Sequence, residues 1–225
     1  MTPRSLSLFG LLAFGMAIAQ AHAAGGGDAA ACTHALQQAF AASASATTLP
    51  AACTRIGPIA LGMRKQQVLA ALGQPDITRA DAAHPQTLSI VYLYPRELNA
   101  QLARHPLAAG TLAYSQLAVG LREDRVTNLI AFADPKVPLP FDLLGQPAGT
   151  PIDRLLQAIG GQPQWNASRD YVQFAAMPLG LDVDPDTSSI VGLNIAASKA
   201  DLDSFGLPGL QLRKDANSGL VNGVR

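Results

Sequence analysis

Gly62-Met63-Arg64-Lys65-Gln66-Gln67-Val68-Leu69-Ala70-Ala71-Leu72-Gly73, set above Gly149-Thr150-Pro151-Ile152-Asp153-Arg154-Leu155-Leu156-Gln157-Ala158-Ile159-Gly160, aligns glycine with glycine and matches the apolar positions between them. One extra residue, Gly161, restores the match of Gln74-Pro75 to Gln162-Pro163. Self-similarity of this kind marks a repeat architecture. Val68, Leu69 and Leu72, like Leu155, Leu156 and Ile159, fall at i, i+1 and i+4, one face of a short helix. Gly73 and Gly160 stand where such a helix ends in a left-handed residue, and Pro75 and Pro163 where it cannot continue. Pro151 suits a first-turn position, where its missing N–H costs nothing.

Strand-like runs follow each helix. In the first unit they are Leu88 to Tyr94, Leu117 to Leu121 and Arg125 to Phe132, the last after the polar turn Arg122-Glu123-Asp124. In the second they are Tyr171 to Phe174, Leu179 to Val183 and Ile190 to Ile195, with a turn through Asp184-Pro185-Asp186. The predicted fold is therefore α+β, two tandem units of a helix and an antiparallel meander. The first carries an insertion, Arg96 to Ala108, read as helical and ended near His105-Pro106. The proline-rich stretch Asp134 to Pro140 excludes a central strand and reads as a linker. The expected organisation is a leader over residues 1–23, a stapled helical segment over 24–54, one unit over 55–136, a second over 137–200, and a tail over 201–225, frayed from Gly206 onward.

Of 225 residues 48% are apolar, too many for a disordered chain, and 16 Lys and Arg balance 16 Asp and Glu. That balance, with no basic cluster, excludes the electrostatic footprint of sequence-independent nucleic-acid binding. Arg4, the apolar run Leu6 to Ala19 and the small-residue site Ala21-His22-Ala23 form the three parts of a secretory signal. The run is shorter than the roughly 20 residues of a membrane span. Cleavage near Ala23 would place the mature chain in the periplasm or outside the cell, with peripheral envelope association as an option. There an isolated pair, Cys32 and Cys53, is expected to form a disulfide. Lipidation of Cys32 is the rival reading, but Ala29-Ala30-Ala31 lacks the usual branched residue and Gly25-Gly26-Gly27-Asp28 separates it from the apolar run.

The stretch Leu61 to Pro75 resembles the repeat of the secreted β-lactamase-inhibitory protein and the single unit of BamE-type lipoproteins of the outer-membrane assembly machinery. The resemblance spans Arg55 to Ala197 by motif and element order. It implies a helical layer on an antiparallel sheet, and an exported, non-catalytic module that presents a sheet face to a protein partner. The chain departs from both families. Inhibitory proteins use an aromatic-rich sheet surface and a disulfide in each repeat, whereas this chain is 5% aromatic with one tryptophan and its cysteines precede the first repeat. BamE-type proteins are lipidated at their first mature residue. An assembly component of the outer-membrane envelope is the alternative role, and a hydrolase with a dispersed site a third.

No motif points to catalysis, a cofactor or a metal. His34, His84 and His105 share no metal-ligand spacing, and neither a Gly-x-Ser-x-Gly elbow nor a phosphate-binding Gly-Lys-Ser/Thr loop occurs. Asp182-Val183-Asp184-Pro185-Asp186 begins like a calcium loop, but Thr187 and Leu193 occupy the places of the turn glycine and the bidentate glutamate, so a strand–turn–strand explains it better. The expected partner-binding residues are aromatic: Tyr92 and Tyr94 on one face of their strand, with Tyr171 and Trp165 in the second unit. Alternation predicts that Val91 and Leu93 pack on the helices while the tyrosines meet solvent or a partner.

Overall fold

Cys32, Leu36 and Phe40, four residues apart, lie on one buried face of helix α1 (Gly25–Ala42). The helix lies within the stapled segment expected over residues 24–54, and the bond from Cys32 to Cys53 ties it to the chain that follows, with the two Cα atoms 4.9 Å apart. The computed structural model describes residues 25–43, 46–81, 86–98, 100 and 113–204. Phe40 stacks on Phe174 with ring centroids 4.9 Å apart, so the stapled helix covers the second half of the chain.

A 3-10 turn (Ala51–Cys53) leads into the short hairpin β1 (Arg55–Ile56) and β2 (Ile59–Ala60). Helix α2 (Lys65–Leu72) precedes β3 (Ile77–Ala80), β4 (Thr87–Tyr94), β5 (Ser115–Arg122) and β6 (Arg125–Phe132). Helix α3 (Ile152–Ile159) precedes β7 (Pro163–Trp165), β8 (Tyr171–Phe174), β9 (Leu179–Asp184) and β10 (Ser189–Ala196). The chain is thus α+β. Each repeat helix is followed by four strands rather than three, the additions being β3, one residue after Gln74-Pro75, and β7, which opens on Pro163.

The eight strands form one antiparallel sheet in the order β3-β4-β5-β6-β10-β9-β8-β7. The last strands of the two halves meet at its centre, with Leu193 opposite Ala131 and Ile195 opposite Leu129. One hydrophobic cluster therefore runs across both halves, joining Val68 of α2 and Leu155 and Ile159 of α3 to Leu117, Leu129, Leu181 and Ile195 of the sheet. On the other face a smaller cluster gathers Val91, Leu93, Leu98, Ala118 and Ile130.

Helix α4 (Lys199–Ser204) packs against β10, β6 and β9. Residues 201–204, read from sequence as the start of a tail, are therefore helical. Asp201 fixes them: its carboxylate accepts from Arg122 and from Ser198 Oγ, the latter at 2.7 Å. Leu98 and Ala100 are helical within the predicted insertion. Asn99, residues 101–108 of the insertion, the leader, His84, His105 and the chain after Ser204 lie outside the described residues.

Candidate functional site

The tyrosines of β4 face the helices, not solvent. Tyr92 is 0% exposed and Tyr94 is buried with it in the larger cluster, while Val91 and Leu93 belong to the smaller cluster on the opposite face. The expectation from alternation is thus inverted, and the reason is a hydrogen bond. The Tyr92 hydroxyl donates to the carbonyl of Gly73 at 3.2 Å, so the end of α2 satisfies the polar tip and the ring can be buried beneath it. Arg96 closes the arrangement, its guanidinium 5.2 Å from the Tyr92 ring centre and 6.0 Å from that of Tyr94. It donates to Asp76 at 2.6 Å and to the Gln74 carbonyl at 3.1 Å. Asp76 also accepts the Leu93 N–H at 2.7 Å. Burial pushes the hydroxyls of Tyr92 and Tyr94 above the usual tyrosine range, against the opposing pull of Arg96.

The other two aromatic candidates lie elsewhere. Trp165 is half-buried on the edge strand β7, and the Arg169 guanidinium sits 4.9 Å from its ring. Tyr171 is buried on the face away from the helices, in a row with Asp182 and Gly192. Its hydroxyl occupies the space a side chain at Gly180 would need. Burial drives its pKa strongly up, and Asp182 and Asp203 add to the shift. Asn194 donates to Asp182 at 2.7 Å beside it. The four aromatic residues expected to bind a partner therefore form no common surface.

Polar side chains recur on that second face. Ser89, Gln116 and Asn128, on β4, β5 and β6, are each no more than 3% exposed. Their Oγ, Nε2 and Oδ1 atoms have no hydrogen-bond partner among the described residues.

A concave surface lies at the junction of the two halves. An open recess of about 310 Å³ separates the segment after β6 from the turn joining β9 to β10. Pro138, Phe141, Pro147 and Val191 provide apolar wall, and Asp134, Asp142 and Asp184 also line it, with no lysine, arginine or histidine among the described residues. The walls are tied down. Ser115 Oγ donates to the Val137 carbonyl and accepts the Asp134 N–H at 2.8 Å. Leu143 and Gln146 exchange backbone bonds of 2.8 and 3.0 Å, and the Ala133 N–H reaches the Val191 carbonyl at 2.7 Å. Phe141 packs edge-on against Tyr94 at 6.0 Å, and a side chain on Gly57 would come within 2.8 Å of its ring. Tyr94 thus supports the recess from behind.

The carboxylates are also oriented. Asp134 Oδ1 accepts the Lys136 N–H at 2.8 Å and Asp184 Oδ1 the Asp186 N–H at 2.9 Å. The acidic run from Asp182 to Asp186 spans the end of β9 and its turn, so Asp182 lies on the sheet while Asp184 lines the recess. The recess is not legible in the sequence, because its walls come from separated segments and a proline-rich stretch reads as a spacer. The one available signal was Asp134 and Asp142 flanking those prolines.

Among the described residues no group of three or more His, Cys, Asp or Glu could hold a metal ion. None of their helices is long and apolar enough to cross a membrane. No protein-family model matches the chain, and no curated protein matches it significantly. Among solved structures, a cysteine-rich secretory protein from Staphylococcus aureus is similar over 63% of this chain and 46% of its own, at 9% identity and a TM-score of 0.31.

Proposed function

We propose that the chain is an exported, non-enzymatic binding module that engages a protein partner in the cell envelope or outside it. The observation that carries this reading is the recess between the two halves, an open concavity whose proline walls and hydrogen-bonded backbone hold one shape before any partner arrives. The disulfide supports an oxidising compartment. The two helix-plus-meander halves agree with the resemblance to inhibitory and BamE-type modules. The contact surface moves from the tyrosine face, which is buried, to the junction that Tyr94 supports from within.

The test is site-directed photocrosslinking in envelope and secreted fractions, with the reactive group in place of Thr187 or Leu139 at the recess and, as a control, of Gln157 on α3. A single stoichiometric protein adduct from the recess positions and none from the control is the expected result. Adducts absent from all positions, or equal at all of them, would overturn it.

A further inference from the structure

We infer that the occupant of this recess is a lysine or arginine side chain presented by a segment of the partner protein. The inference rests on the binding-module reading and specifies its chemistry. Charge complementarity carries it: Asp134, Asp142 and Asp184 all line the recess, no cationic side chain among the described residues does, and Lys136, the basic residue of the same loop, is exposed and does not line it. Three carboxylates around one concavity create a negative potential that an anionic or purely apolar occupant leaves uncompensated.

The shape of the charge argues for an organic cation rather than a metal ion. A hard cation needs six or more oxygens converging on one point. Here no trio of carboxylates is close enough to hold a metal, one oxygen of Asp134 and one of Asp184 already accept a backbone N–H, and the wall between them is built from Pro138, Phe141 and Pro147. A basic side chain matches both features, laying its methylene stem along the prolines while its head lies among the carboxylates. A volume of about 310 Å³ suits one such side chain with part of its backbone.

The experiment follows backbone amide shifts of Gly149 and Ser189 in the processed protein. The probes are a capped Ala-Lys-Ala tripeptide, its norleucine counterpart and free butylamine. The lysine peptide should bind about tenfold more tightly than the norleucine peptide, and D134N and D184N should each weaken it about threefold, as exposed ion pairs do. Equal binding of the norleucine peptide, or undiminished binding by the double variant, would overturn the assignment. So would binding of butylamine with exclusion of the tripeptide, which would point to a small free amine, or a dimer in sedimentation whose formation blocks the peptide, which would point to a second copy of the chain. A crosslinked partner whose capture survives D134N/D184N would remove the basic-side-chain assignment and leave the binding-module reading standing. Lysine-peptide binding with no crosslinked partner would remove the protein-partner reading itself.

Discussion

Tyr92 and Tyr171 are both buried, on opposite faces of one sheet, and each is tolerated for a different reason. Tyr92 hands its hydroxyl to the helix-end carbonyl of Gly73, whereas Tyr171 lies over the bare backbone of Gly180 beside Asp182. Because the folded pKa of Tyr171 is raised, its contribution to stability is fully present below the unfolded tyrosine value of about 10 and is lost as pH rises beyond it toward the folded pKa. Urea unfolding of the Tyr171→Phe variant between about pH 8 and 11 should show a flatter alkaline loss of stability than the parent. An unchanged slope would assign the loss to other groups, since Tyr92, Tyr94 and Tyr114 are shifted in the same direction. Ser89 offers a second check. Its buried hydroxyl has no partner among the described residues, so Ser89→Ala should raise stability by about 1 kcal/mol, measured as a higher urea midpoint at constant slope.

At the scale of the element, the repeat glycines are more demanding than the sequence implies. Gly73 and Gly160 have positive φ as expected, but with φ 76 and ψ −158, and φ 71 and ψ −153, they leave the left-handed helical region for one that only glycine occupies readily. Within three or four residues the chain there passes from helix into edge strand. Gly160→Ala is expected to cost about 1–3 kcal/mol, although a side chain at this position meets no neighbouring atom within 4 Å. Chemical denaturation of this variant beside Ala158→Gly, which carries the helix-propensity effect alone, separates the two causes. The disulfide acts on a different element. Replacing Cys32 and Cys53 together by alanine should lower stability by about 3 kcal/mol on the chain-entropy account, and reduction of the parent should reproduce that shift.

For the whole molecule, the seam between β6 and β10 makes two repeats into one cooperative body. Neither half can leave without exposing a central strand and dividing a core that spans both. Calorimetry should therefore give a single transition with equal calorimetric and van't Hoff enthalpies, and two resolved transitions would mean that the halves unfold independently.

The sequence alone determined the two repeat helices, their glycine ends, six of the eight sheet strands and the cysteine pair. Each of these is set by periodicity, turn chemistry or spacing within a short window. It did not reveal β3 and β7, because Ile77-Thr78-Arg79-Ala80 lacks the aromatic residues that mark Tyr171 to Phe174, and β7 opens on Pro163. It also misassigned the tyrosine face. Alternation along Leu88 to Tyr94 separates two faces without saying which one the helices cover, and that was decided by the Gly73 carbonyl, which lies 19 positions away from Tyr92 and reaches it only in the fold. The recess has the same origin. Asp134 and Asp184 are unremarkable turn residues in the chain, and only the antiparallel closure of one half on the other sets their carboxylates around a common apolar wall.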